Sequence, residues 1–282
     1  MSRWRIGDVR ISKIVELELP GSGTFVLPDA EPANVTPISW LAPHFAKADG
    51  DLLMSIHALV VESQGRRIVV DTCVGNDKER PIPDWNQRQG PFLQDLTEAG
   101  FPRDSIDTVV CTHLHVDHVG WNTMKDGDRW LPTFPNARYL LGETEWAYWE
   151  KEPENMFGSV MGDSVRPVFD AGLADLVQPD HQITDEVRLE STPGHTPGHV
   201  SVHITSRGEE AVITGDLMHH PCQMARPEWA SSFDYDADQA RTTRKAFLER
   251  YADGPVLIIG THFASPTAGH IVRDGDAYRL DV

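Results

Sequence analysis

Val109-Val110-Cys111-Thr112-His113-Leu114-His115-Val116-Asp117-His118-Val119-Gly120-Trp121 is the stretch on which the reading of this chain turns. Within six positions it places His113, His115, Asp117 and His118. Upstream, residues 105–111 read as a buried strand, short and β-branched, preceded by the turn residues Pro102, Arg103 and Asp104. Thr112 is where that strand runs out, so the ligand-type side chains sit on a loop at a strand's end. Backbone curvature there lets several of them converge. In a continuing strand, His113, His115 and Asp117 would line one face in a row, too spread to share one ion. Imidazoles and a carboxylate this close are costly to desolvate without a cation. Nitrogen and carboxylate donors at such spacing are what zinc-type ions select.

Three more strand ends repeat the arrangement. Residues 187–191 run into Thr192-Pro193-Gly194-His195-Thr196-Pro197-Gly198-His199, residues 211–214 into Gly215-Asp216, and residues 256–260 into Thr261-His262. A lone His after a strand is ordinarily a surface residue. Together with the first loop these ends offer five His and two Asp, all at strand C-termini, the edge where α/β proteins place their sites. Seven such donors suit two ions: three imidazoles on one, Asp-His-His on the other, and one carboxylate between.

The rest of the chain reads as mixed α/β. Residues 9–19 alternate as a first strand closed by Pro20-Gly21-Ser22-Gly23, and residues 55–62 and 67–71 form a hairpin around Ser63-Gln64-Gly65-Arg66. Asp71 ends that hairpin, either as a turn former or as an acceptor for the N–H of a metal-bound His. Residues 24–50 are irregular and apolar. Residues 92–99 have helical spacing with Gly100 as a stop, 137–141 read as a strand and 143–150 as a short helix. Residues 151–180 read as a helix-poor insertion. Residues 200–204 form another strand. From Asp236, a fitting N-cap, to Tyr251 runs an amphipathic helix with Ala240, Phe247, Leu248 and Tyr251 on one stripe. The chain closes with strands at 271–272 and 277–280 about Asp274-Gly275. With no low-complexity linker and no repeat, residues 1–282 are expected to form one domain.

A net charge of −18 in 282 residues, without clustered Lys and Arg, argues against a nucleic-acid partner. It also disfavours a highly anionic substrate unless metals offset the field. Hydrophobic content of 40% supports a sizeable core. Cys73, Cys111 and Cys222 show no paired spacing, which suits a reducing cytoplasm. No apolar run reaches membrane-spanning length and no signal-type stretch opens the sequence, so a cytoplasmic protein without a membrane partner is expected.

His113-x-His115-x-Asp117-His118, followed in order by His195, Asp216 and His262, resembles the metallo-β-lactamase superfamily of metal-dependent hydrolases. That resemblance implies a four-layer αββα sandwich of the α+β class and two divalent metal ions, zinc first among them, with manganese, cobalt and iron also tolerated by these ligands. Carried over by position, His113, His115 and His195 would bind the first metal, Asp117, His118 and His262 the second, and Asp216 would bridge. The pattern uses the first His of Thr-Pro-Gly-His, which leaves His199 a structural role. Asp216, where true β-lactamases commonly carry Cys, points away from antibiotic hydrolysis. Stretches 214–216, 232–236 and 261–270 are similar to the lactonase and methyl-parathion-hydrolase-like branch. The chain departs from acyl-homoserine lactonases at His219, where those enzymes place a Tyr that touches the substrate carbonyl; His219 either donates to an oxyanion or packs beside His220. A homodimer is implied by the family alone.

The function expected is thus a dinuclear metal-dependent hydrolase that turns a metal-bound hydroxide on a lactone or related ester, with Asp117 accepting or returning the proton. Rival readings are an organophosphate triester hydrolase, and an iron-bound oxidative enzyme or ligand sensor on the same scaffold. Trp40, Phe157, Met161, Trp229 and Phe233 are the candidate pocket walls.

Overall fold

The computed structural model describes residues 2–21, 23–151 and 156–282. Ser22 of the first turn and residues 152–155 of the expected insertion lie outside the described residues.

Two seven-stranded sheets carry the chain. The first takes its strands in the order β1 (Arg3–Ile6), β2 (Val9–Pro20), β3 (Leu53–Ser63), β4 (Arg66–Val70), β5 (Thr108–Val110), then, past a small separate hairpin of β6 (Thr123–Asp126) and β7 (Arg129–Pro132), β8 (Arg138–Gly142) and β9 (Ala174–Val177). The second holds β10 (Gln182–Thr184), β11 (Val187–Ser191), β12 (Val200–Ser206), β13 (Glu209–Ile213), β14 (Leu257–Ile259), β15 (Ala268–Asp274) and β16 (Ala277–Asp281) in sequence order. The first is antiparallel at one margin and the second at both, but each contains parallel neighbours: β4, β5, β8 and β9 in the first, β13 and β14 in the second. β11 and β13 both run antiparallel to β12 and so point the same way. Strands that point together end together, and that shared edge is where the donor loops emerge.

The apolar residues sort into three layers of contact. Ile11, Leu59, Val61, Ile68 and Val110 of the first sheet meet Val187, Leu189, Val202 and Ile213 of the second. On the first sheet's other face, Val60, Val69, Val109 and Tyr139 pack on Phe92 and Leu96 of the helix Phe92–Glu98, on Trp149 of Glu143–Trp149, and on Val165 and Val168. On the second sheet's other face, Val212, Ile258 and Ile271 take Phe247, Leu248 and Tyr251 of the helix Ala237–Tyr251. The order is helix, sheet, sheet, helix, as the resemblance implied. Asp236 caps the last helix, its carboxylate accepting from the N–H groups of Asp238 and Gln239 at 3.1 and 3.0 Å.

Three expectations need correction. The strand expected over 105–111 is only Thr108–Val110, because side chains take its ends: Asp107 Oδ2 accepts from Arg67 N–H, and Asp71 Oδ1 accepts from Thr112 N–H. The 151–180 insertion is not helix-poor; a π-helical turn at Met161–Val165 leads into Arg166–Asp170, and β9 joins the sheet. The wider π turn shifts the buried positions off the 3.6 period, which hides the helix from pattern reading. Finally, residues 24–50, expected to be irregular, hold short helical turns at Pro32–Val35 and Ser39–Leu41. Among the described residues no helix is long and apolar enough to cross a membrane.

Candidate metal centre

Thr112, two residues past the end of β5, has both polar groups committed to Asp71: its N–H donates to Oδ1 at 2.8 Å and its hydroxyl to Oδ2 at 2.9 Å. From that anchor the loop 113–118 curls inward. The three second-sheet loops meet it. Ligand atoms of His113, His115 and His195 lie within 4.8 Å of one another, as do those of Asp117, His118 and His262, and those of His113, His118 and Asp216. Asp216 is at the centre. Its Oδ2 is 3.8 Å from His113 Nε2, 3.4 Å from His195 Nε2 and 3.3 Å from His118 Nε2, and its Oδ1 is 3.2 Å from His262 Nε2. All seven residues singled out from the sequence are brought together.

Outer contacts fix which nitrogen of each ring faces inward. His118 Nδ1 meets Asp71 Oδ2 at 2.9 Å, His195 Nδ1 meets Asp234 Oδ1 at 2.9 Å, and His262 Nδ1 meets the Ser55 carbonyl at 3.2 Å. Each Nδ1 carries the proton, so each Nε2 presents a lone pair to the centre. Yet His118 Nε2 and His262 Nε2 face each other at 3.2 Å, and His195 Nε2 faces His115 Nδ1 at 2.9 Å. Buried lone pairs directed at one point repel unless a cation sits among them. Tetrahedral Zn–N bonds of about 2.0–2.1 Å put ligand atoms roughly 3.4 Å apart. His113 Nε2 and Asp216 Oδ1 are buried with no hydrogen-bond partner among the described residues. The residues present fit divalent metal ions.

Electrostatics divide the two trios: the first is held neutral, and in the second a proton on Nε2 takes the place that a cation would fill. Burial holds His113, His115 and His195 well below the usual imidazole range, in the neutral form a metal accepts. Burial pulls on His118 and His262 in the same direction, but the surrounding carboxylates, Asp216 foremost, outweigh it and raise both. Asp216 is penalised by burial, and the His118, His262 and His219 rings more than compensate, keeping it ionised.

Glycine allows two of the close approaches. Gly215 has φ +57°, and a Cβ there would stand 2.5 Å from His199 Nε2. His199 is structural, as expected: its Nε2 accepts from Asp216 N–H at 2.8 Å while its Nδ1 bonds the Thr192 carbonyl at 3.0 Å. Gly194 has φ +133°, and a Cβ would meet Ala240 N at 2.3 Å, where the His195 loop lies on the last helix.

Over the donors opens a cleft of about 760 Å³ including its mouth, a size suited to small molecules. Leu19, Phe25, Val26, Met54, Ile82 and Trp85 line it, with Phe157 and Phe233, so two of the expected walls are in place. Trp40, Met161 and Trp229 are not walls. Met161 is buried in the first sheet's outer core, Trp229 in the second's, and Trp40 packs against the latter; aromatic or sulfur character alone does not separate core from wall. His219 lines the cleft with Nε2 3.2 Å from Asp216 Oδ2.

Residues 53–262 match the family model of the metallo-beta-lactamase superfamily. The chain belongs to this superfamily. The family and its donor set make it a metal-dependent hydrolase that uses divalent metal ions. No curated protein is significantly similar to it in sequence. Among solved structures it is similar to the hydrolase AbOPH of the beta lactamase superfamily, with 26% identity, TM-score 0.81, and 100% of this chain and 97% of that one covered. It is similar to AidC, a dizinc quorum-quenching lactonase in complex with a product, at 22% identity, TM-score 0.79 and coverage of 99% and 96%. A probable metal-dependent hydrolase from Staphylococcus aureus shares 20% identity, TM-score 0.73 and coverage of 98% of each chain. Within this metallo-beta-lactamase frame, sequence reasoning left Asp71 divided between two roles, and the structure favours the second: it forms no turn, and its carboxylate accepts from His118 Nδ1–H.

Three further carboxylates were missed. Asp234 orients His195. Glu145, buried, accepts from Leu114 N–H at 3.1 Å and from Gly198 N–H at 2.9 Å, tying the first donor loop to the His195 loop. Glu16 accepts from Val74 N–H at 2.8 Å and from Trp121 Nε1–H at 2.6 Å, tying the loop after β4 to the end of the first. Asp234 lay in a stretch already singled out, but nothing local separates it from Asp236, which caps a helix.

Proposed function

We propose that this chain is a dinuclear hydrolase of a lactone or related carboxylic ester. His113, His115 and His195 would hold one ion, Asp117, His118 and His262 the other, and Asp216 would serve both, with zinc the metal of first choice. The observation that carries the reading is the facing pair of His118 Nε2 and His262 Nε2 at 3.2 Å, each ring already donating its Nδ1 proton elsewhere. A pair of ions, when bound, lowers the pKa of a water between them and polarises the oxygen of the group under attack.

The chain's own residues supply the rest. Asp117, its carboxylate 3.6–3.7 Å from the Nε2 atoms of His262 and His118, takes up the proton released as water attacks and returns it to the leaving oxygen. His219 donates a hydrogen bond to the substrate's oxygen, the task that a Tyr performs in acyl-homoserine lactonases. The apolar walls bind the acyl or aryl part and exclude bulk water. AidC, complexed with a product, N-hexanoyl-L-homoserine, has a ligand with an apolar acyl tail of this kind. Residues 1–282 act as one hydrolase domain, since both sheets contribute donors. Three unpaired, buried cysteines support a cytoplasmic setting, and the homodimer implied by the family is read by sedimentation.

The test is turnover of a panel of lactones, aryl esters and phosphotriesters by protein loaded with defined metals. Hydrolysis of lactones or esters at two ions per chain is expected. Turnover of phosphotriesters alone would assign the site to those substrates instead, and stoichiometric iron with oxygen uptake and no hydrolysis would overturn the reading.

A further inference from the structure

Away from the donors, two pocket walls share a buried ionic joint. Ile82 and Trp85 belong to a loop whose ends are pinned by backbone bonds from Asp77 N–H to the Arg88 carbonyl at 3.0 Å and from Gln87 N–H to the Lys78 carbonyl at 2.7 Å. Phe157 belongs to the segment entering the π turn at Met161–Val165, a rare geometry that often marks a functional position. The joint is Asp163, on that turn. Arg80 grips it in a two-pronged pair, Nη1 to Oδ2 at 2.7 Å and Nη2 to Oδ1 at 2.8 Å. Lys78, fully buried, donates to the Asp163 carbonyl at 3.2 Å and to Thr123 Oγ1 at 2.8 Å. Above the joint, the Trp85 and Phe157 rings approach to 6.3 Å between centroids, and Phe157 leads on to Phe233 at 5.6 Å.

None of these charged groups lines the cleft, yet each is nearly or fully buried, where an ion pair seldom adds net stability over apolar packing but does impose one geometry. We propose that Asp163 is a positioning residue for substrate selection. Held by Arg80 and Lys78, it sets the spacing between the Trp85 loop and Phe157, and so fixes the width of the apolar slot that receives the substrate's tail. The inference rests on the ester-hydrolase reading and adds to it a device that acts on tail length and leaves the reacting centre alone. An Asp163→Asn change keeps size and one oxygen but loses the charge and the second prong. The slot then loosens while the donors, which the joint does not touch, stay in place.

The experiment measures kcat and KM of the metal-loaded protein with 4-nitrophenyl acetate and 4-nitrophenyl octanoate, and the affinity of octanoate by calorimetry. D163N should raise KM for the octanoyl ester about tenfold, the scale of a methylene or two of lost contact. kcat, metal content and the acetyl ester's parameters should remain within about twofold, well under that scale. Phe157→Ala should likewise raise KM for the octanoyl ester, and on that ester the double variant should be no worse than either single one, since the two changes remove the same contact. Arg80→Lys, which keeps the charge but not the fork, should fall between, and it serves as the test if D163N does not fold. A D163N protein with unchanged octanoyl KM, with equal losses on both esters, or with effects fully additive to F157A overturns the proposal. If neither ester is turned over by the parent protein, the hydrolase reading fails by itself, and weakened octanoate binding still decides whether the joint sets the slot.

Discussion

Replacing Asp71 with Asn is the sharpest probe of how the second trio of donors is held. Asp71 is almost wholly buried and uses separate oxygens for separate donors: Oδ1 accepts from Thr112 N–H at 2.8 Å, Oδ2 from His118 Nδ1–H at 2.9 Å. An Asn has one oxygen for these two N–H groups. Whichever it serves, its own amide N–H₂ then faces the other donor in a place water does not reach. A buried donor left unpaired costs about 1–3 kcal/mol. His118 escapes that cost by moving its proton to Nε2, the atom aimed at the ion, and the cost then reappears as lost metal affinity. Changes to such orienting contacts typically weaken metal binding about 10–100-fold, equivalent to roughly 1.4–2.7 kcal/mol. The backbone adds no confounding strain, since Asn tolerates the left-handed φ of 57° at this position. Asp234→Asn is the matched control, because it removes the same support from His195 in the other trio. In competition with a chromophoric chelator, each variant should weaken one of two binding steps by that factor, leave the other within about threefold, and lower both only when combined. Parent-like affinity in D71N, or equal weakening of both steps by either single change, would refute the reasoning.

Other substitutions test other parts of the argument. Glu145→Ala strands the buried Leu114 N–H and Trp149 indole N–H; at about 1–3 kcal/mol each, urea unfolding of the metal-free protein should show a loss of roughly 3 kcal/mol, with Gln at this position recovering about half. Lys78→Met addresses pH: burial, only partly offset by Asp163, lowers the Lys78 ammonium from 10.5 to about 7. Between those values the unfolded chain holds a proton that the folded chain has released, so raising pH from about 7 towards 10 stabilises the fold by up to a few kcal/mol; K78M should flatten that part of the profile in chemical denaturation at stepped pH. Among the described residues, Asp84 is the one carboxylate lining the cleft besides Asp117 and Asp216. Asp84→Asn should lower KM for a negatively charged ester about threefold at low salt, leave a neutral ester unchanged, and lose its effect as ionic strength rises.

The donors were legible because their chemistry is scarce and their setting repeats. His and Asp at the end of a short β-branched run, four times over, have few other uses, and the structure puts all seven residues around one point. The carboxylates that orient them were not legible. Asp234, Glu145 and Glu16 are three among 43 acidic residues, and what distinguishes them is a partner far off in the chain: Gly198 lies 53 residues from Glu145, Trp121 105 from Glu16. The walls failed for a related reason. Met161 and Trp229 entered cores while Phe25 and Trp85 reached the cleft, an outcome set by which side of a loop faces the opening and not by residue type.

The division of donors between the sheets explains why so much bracing surrounds the first loop. After β5, the first sheet supplies His113, His115, Asp117 and His118; the second supplies His195, Asp216 and His262. Each trio draws two members from the first sheet's loop and one from the second's sheet, and Asp216 reaches into both. Neither sheet offers a complete set for either ion, so an ion bound here is also a cross-link between the two halves of the sandwich, and its affinity includes the free energy of holding them in register. On the proposed dinuclear assignment, a loop that presents four donors to two ions would have little freedom to adjust as they arrive. Asp71 and Glu145 remove that freedom beforehand by accepting from the backbone N–H groups of Thr112 and Leu114, and Glu16 by accepting from the Trp121 indole N–H at the loop's end. Buried acids that look costly one at a time are thus the condition for a site already shaped when the metal enters.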